Sequence, residues 1–133
     1  MAVNSSTARG DIFKEFYALI KSNTSGVKTT NAFVDDIAVM PQIVVNMPVL
    51  PRNRETFGTT TYDRSGEIDV EIYGTSMKQL TLLIDEIDDL IFNNLDQLSV
   101  QNIKLGESTI GSFDMNAKTV HTFTLPFSFT FKR

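Results

Sequence analysis

Between Gly66 and Leu95 the chain changes its period once. Glu67-Ile-Asp-Val-Glu-Ile-Tyr73 alternates polar and apolar residues and Gly74-Thr75 interrupts it. Leu80, Leu83, Ile84, Ile87, Leu90 and Ile91 then recur at the spacing of one helical stripe. The pattern predicts a strand, a tight turn and a helix running to about Asn94. Ser76-Met-Lys-Gln79 has the form of a capping box, so Thr75 or Ser76 is expected to start that helix.

The same reading places a first helix from Gly10 or Asp11 to about Lys21. Ile12, Phe13, Phe16, Leu19 and Ile20 form its apolar stripe, Asp11 suits the positive end of its dipole, and Asn23-Thr-Ser-Gly26 stops it. Residues 1–9 read as a frayed terminus. Phe33 to Met40 is weakly strand-like, and the β-branched run from Pro41 to Pro48 is bounded by prolines, as an edge or irregular strand would be. A strand is expected around Val100 to Leu105, a turn over Gly106 to Gly111, and a last strand from about Thr119 to Lys132. In that last strand Phe123, Leu125, Phe127, Phe129 and Phe131 face one way, and Thr122, Thr124, Ser128 and Thr130 the other. Pro126 falls on the polar register without a ladder donor, which predicts that this strand is an edge or is bulged there.

Together these elements predict an α+β fold in one domain: a four- to five-stranded, mainly antiparallel sheet with two helices packed on one face and a long projecting loop or hairpin. A chain of 133 residues with 41% apolar side chains is of a size to fill one core. Two helices cannot cover both faces of such a sheet, so one face is expected to stay polar. The projection is residues 47–66, which show no helical period and far exceed the usual connection of about four to six residues. A surface loop ordered only against its own domain is the alternative.

Composition then narrows the chemistry. With no cysteine there is no disulfide, thiolate nucleophile or sulfur-ligated metal, which suits a reducing cytoplasm. Neither a signal-peptide apolar region nor a run of about 18 apolar residues is found, so no membrane partner is expected. The net charge of −4 is uneven: residues 1–66 carry seven Lys/Arg against six Asp/Glu, and residues 67–133 five against ten. An acidic C-terminal half argues against gripping nucleic acid through its phosphates.

Candidate catalytic groups do not assemble. Asp85-Glu-Ile-Asp-Asp89 resembles an aspartate-rich magnesium motif, but no second such motif accompanies it, and the solvated face of an amphipathic helix accounts for it. His121 is the only histidine and has no ligand-spaced partner for a triad or zinc site. Gly106-Glu-Ser-Thr-Ile-Gly111 has the glycine spacing of a phosphate loop, yet Ser112 and Phe113 follow where lysine is essential. No catalytic, cofactor or metal residues are expected. Within the arm, Arg52, Arg54 and Arg64 are interface candidates, Arg52 and Arg54 by pairing carboxylates of a partner, with phosphate contact or ordinary surface ion pairs as the alternatives. Phe57 and Tyr62 are candidates for interface anchors or a local apolar cluster. Glu67, Asp69 and Glu71 emerge together on one side of their strand.

The order of these pieces carries a resemblance. A short helix, a β-branched strand and a long Arg-bearing, Thr-rich loop come first. Gly66-Glu-Ile-Asp-Val-Glu-Ile-Tyr-Gly-Thr-Ser76, a helix with Leu80-x-x-Leu-Ile-Asp-Glu-Ile-Asp-Asp-Leu90 and closing strands follow. From about Asp11 onward this resembles the tail terminator, or tail completion and neck, proteins of long-tailed bacteriophages. The resemblance implies a non-enzymatic virion protein of the tail or neck, assembled in the host cytoplasm. It implies a homo-oligomeric ring, typically a hexamer, that caps the tail tube protein and docks on the head connector protein. DNA crosses its lumen without specific binding, and Glu67, Asp69 and Glu71 are candidates to line that lumen, in competition with the acidic helix face of Asp85, Asp88 and Asp89 and with an ordinary solvent-facing role on the outside of the sheet. The alternatives are a head-completion or other connector ring protein and, in a different class, a small binding module using the open sheet face.

Overall fold

The computed structural model describes residues 8–24, 27–36, 39–50 and 63–132. Helix α1, Ala8–Asn23, buries Ala8, Ile12, Phe16, Leu19 and Ile20, so it starts slightly before the expected Gly10 and leaves Phe13 half-buried. Asn23 Nδ2 and Thr24 Oγ1 donate back to the carbonyls of Leu19 and Ile20 at 2.8 and 2.6 Å, satisfying acceptors that the end of the helix leaves open. Helix α2, Met77–Asn93, is capped by Ser76, whose Oγ accepts from the Gln79 amide at 3.3 Å. Its Leu80, Leu83, Ile87 and Ile91 are buried, as the stripe predicts.

Among the described residues six strands form one sheet: β1 (Lys28–Thr30), β2 (Gln42–Val45), β3 (Asp63–Gly74), β4 (Gln101–Leu105), β5 (Thr109–Met115) and β6 (Lys118–Lys132). The order is β1-β2-β3-β6, with β4 and β5 sharing the far side of β6. All pairs are antiparallel except β1 with β2. Both helices pack on one face, where Ile43, Val45, Ile68, Val70, Ile72, Leu125, Phe127, Phe129 and Phe131 join their stripes in a single core.

The α+β class and the helix-covered face match expectation, and the strand inventory is corrected. Six strands replace four or five, one pair is parallel, and β1 and β5 come from segments read as loop and turn. The described part of the Phe33 to Met40 stretch forms no strand. β2 is not the edge, because β1 lies outside it. Nor is β6, which pairs along its length with β3 and carries β4 and β5 on its other side.

Pro126 fits in this central strand because its side of the ladder is interrupted. Its carbonyl accepts from Gly106 N at 2.7 Å, so its nitrogen points toward the same flank, where the chain leaves β4 and has not yet entered β5. The missing donor therefore falls on a local gap rather than in a continuous ladder. β4 is bulged between Gln101 and Lys104, with Asn102 at φ 53°. β5 and β6 are joined by a two-residue turn with Asn116 and Ala117 at φ 51° and 63°, the signs of a type I′ hairpin.

The expected arm is shorter at its base. Residues 63–66 belong to β3 opposite residues 129–132, and Val49 forms a bridge with Glu67. Gly66 allows this closure: a Cβ there would stand 2.5 Å from Leu50 Cδ2 and 2.8 Å from the Phe129 ring.

An acidic row on the open sheet face

Residues of β3 alternate across the sheet, so burying Ile68, Val70 and Ile72 against the helices turns Glu67, Asp69, Glu71 and Tyr73 to the other face. Register places them beside Ser128, Pro126, Thr124 and Thr122 of β6, giving the carboxylate row a row of hydroxyls as its neighbour. The three candidate carboxylates are thus brought together as the alternation predicts.

Their surroundings differ along the row. Asn46 Nδ2 donates to Glu71 Oε1 at 2.6 Å, and the Tyr73 hydroxyl donates to the other Glu71 oxygen. Burial, reinforced by Glu71, raises Tyr73 well above the ordinary tyrosine range, so the hydroxyl stays protonated and remains a donor. Asp69 is held above the usual carboxylate value of 3.8, first by burial, then by its hydrogen bond to Glu67, and then by the charges of Glu67 and Glu71. Its Oδ1 is buried with no hydrogen-bond partner. A cavity of about 400 Å³ opens beside this end of the row, lined by Met47, Val49, Ser65, Gly66, Glu67, Asp69 and Ser128.

The face is not polar throughout. Gln42 and Val44 point to it from β2 and are nevertheless buried. The Gln42 amide exchanges two hydrogen bonds with the Val34 backbone, at 2.9 and 3.0 Å, fastening that segment over β2. Phe33, Tyr73 and Phe113 form an aromatic cluster with ring centroids 4.7 to 6.2 Å apart. Sequence reasoning missed this cluster, because its members lie on three separate segments and only the sheet register brings them together.

Of the arm candidates, Arg52, Arg54, Phe57 and Tyr62 lie outside the described residues. Arg64 falls in β3, opposite Phe131. His121 sits opposite Ser112 in the β5–β6 hairpin, and no cluster of three or more metal-ligating side chains occurs among the described residues. Among the same residues, no helix is long and apolar enough to cross a membrane. The row accepts hydrogen bonds and repels anions. No protein-family model matches the chain, and no curated protein matches it either.

Proposed function

We propose that this chain is a structural, non-catalytic subunit of a phage tail or neck ring. Six copies cap the tail tube, dock on the head connector, and leave a lumen through which DNA passes without being gripped. The observation that carries this reading is apolar exposure on opposite flanks. Val49 (64% exposed) and Met47 lie on the β2 side of the sheet, and Ile110 (68% exposed) lies on the β5 side. Head-to-tail rings are built from two different patches on opposite sides of one subunit, whereas a twofold dimer uses one patch twice.

Other features support it. The order of helix, β-branched strand, long connection, long strand, helix and closing antiparallel strands on which the resemblance to tail terminators rests holds with one addition, the short β1 between the first helix and the β-branched strand. Along β3 and β6 the open face bears a row of carboxylates beside hydroxyls, which by itself offers duplex phosphates no counter-charge, while Lys28 and Lys104 stand on the same face toward its two flanks. In this reading Glu67, Asp69 and Glu71 line the lumen. Arg52, Arg54, Phe57, Tyr62 and Arg64 reach a neighbouring subunit or a stacked ring.

Native mass spectrometry and negative-stain microscopy of the purified chain test the ring directly. Closed oligomers of the 14.9 kDa subunit are expected, and a strict monomer at micromolar concentration overturns the proposal. Deleting Arg52–Thr61 should leave a folded subunit that no longer joins heads to tails; intact joining after the deletion removes the arm from the mechanism. The second reading, a small binding module, has the cavity beside Glu67 and Asp69 in its favour. It predicts a monomer that takes up a small ligand there.

A further inference from the structure

The two outer edges of the sheet match each other in height, direction and hydrogen-bonding phase. Thr29 of β1 lies opposite Ile43, Ile43 opposite Ile72, Ile72 opposite Phe123 and Phe123 opposite Ile110 of β5. One transverse row therefore begins at one edge and ends at the other. Lys28 and Gly111 bound the next row, and Thr30 and Thr109 the row on the other side. β1 runs parallel to β2, and each of β3, β6 and β5 reverses direction once more, so β1 and β5 run in opposite senses.

The phase follows from alternation, because the N–H and C=O of a strand residue point to the same flank and the next residue's point to the other. Val49 and Glu67 exchange both of their bonds and Asn46 N–H donates to Asp69, so odd-numbered residues of β3 face β2 and Ile43 of β2 is turned to β1. In a parallel pair Ile43 bonds to Lys28 and Thr30, which turns both main-chain groups of Thr29 to the outer flank, although the residue as a whole is only 9% exposed. The Tyr17 hydroxyl donates to the Thr29 carbonyl at 3.0 Å, which still has a second lone pair. On the far side, Gly106 N–H donates to Pro126, so even-numbered residues of β6 face β5. Their partners Thr109, Gly111 and Phe113 are turned inward, and Ile110, Ser112 and Asp114 present their N–H and C=O groups outward. Natural edge strands are usually blunted by lysine, proline or a bulge. β1 starts with Lys28 and β4 is bulged, but the seven residues of β5 carry none of these devices.

We infer that successive copies join edge to edge, β1 of one laid antiparallel on β5 of the next with Thr29 opposite Ile110, so that one sheet runs around the ring. This rests on the ring reading above and names the contact that closes it. It also decides which face is inside. Five strand positions span about 24 Å per copy, so six copies make a backbone circle about 46 Å across. A helix layer placed about 10 Å further in would have about 14 Å of arc per copy, too little for two helices of about 10 Å each. The helices lie outside, and the row of Glu67, Asp69 and Glu71 faces the lumen.

The chain has no cysteine, so a paired-cysteine variant reports this contact cleanly. In one copy positions 29 and 110 are four strand spacings apart, about 19 Å, far beyond the roughly 4–7 Å between Cα atoms that a disulfide spans. Across the inferred junction they would be about 5.5 Å apart. Oxidised T29C/I110C protein should give a non-reducing ladder of covalent oligomers, while each single variant should stop at dimers. Ile110→Pro removes only an outward N–H, so it should keep the subunit's circular dichroism while weakening each junction at least about tenfold by native mass. Rings that form without the disulfide ladder and survive Ile110→Pro overturn the edge pairing and leave the ring standing. A monomer that yields no ladder overturns both.

Discussion

Ala117 holds a left-handed backbone at φ 63°, a conformation that costs an L residue about 1–2 kcal/mol and glycine almost nothing. Asn116, its partner in the turn, is tolerant of that region. Ala117→Gly should therefore stabilise the protein by about 0.5–1 kcal/mol, after the entropy that glycine adds to the unfolded chain, and a urea titration with an unchanged slope would show it. Asp69 makes the opposite kind of residue-scale statement. A carboxyl whose folded pKa lies above its unfolded value binds more protons in the folded state, so its contribution to stability falls as pH rises between the two values. Above that window the buried charge is a standing cost. Asp69→Asn should raise the melting temperature at neutral pH, and the gain should shrink through the acid range and vanish below about 3.8, the unfolded value. A gain independent of pH would mean that the aspartate's charge is not its source.

Among the elements, α2 packs on both long central strands, β3 and β6, and buries its stripe there. Ile87 and Phe127 are both fully buried, and Phe127 also meets the rings of Phe16 and Phe92 at centroid distances of 6.4 and 6.3 Å. Ile87→Ala or Phe127→Ala should each cost about 2–5 kcal/mol, because a cavity adds to the lost transfer energy in a core this close-packed. Unchanged denaturation midpoints for both would mean that α2 and β6 do not pack on each other. β6 itself could be recognised by its phenylalanine alternation, and its length was read almost to the residue. β5 was not, because Gly111 in its middle looks like a turn residue and the Asn-Ala turn that follows lacks the glycine that usually marks a hairpin. β1 escaped for a different reason: three residues are too few to show a period.

On the scale of the whole molecule, layer count decides which sheet face is left open. Both helices lie on one side, so the other side of β3 and β6 is left to solvent or to a lumen, and three carboxylates occupy it. Replacing Glu67, Asp69 and Glu71 with Lys should leave the fold and head–tail joining intact and slow DNA ejection from assembled particles, because each new ammonium–phosphate contact holds the passing duplex. Ejection at the unmodified rate, measured by dye release from the particle, would move the row out of the lumen. Raising the salt concentration should partly relieve the delay, since release of condensed counterions drives such contacts.

The sequence by itself determined what depends on neighbours along the chain. Both helices with their stripes, the cap at Ser76, the two-faced character of β3 and β6, and the gathering of Glu67, Asp69 and Glu71 on one side are all consequences of period and local capping. Tertiary structure alone decided what depends on which strands are neighbours. It made β6 central although a proline interrupts it, because the gap between β4 and β5 falls where Pro126 has no hydrogen to give. It also drew Phe33, Tyr73 and Phe113 into one cluster and set Thr29 and Ile110 level on opposite edges. These juxtapositions come from register between segments that are distant in sequence. No local pattern encodes register, because each strand satisfies its own alternation equally well beside any partner whose apolar face is turned to the same core.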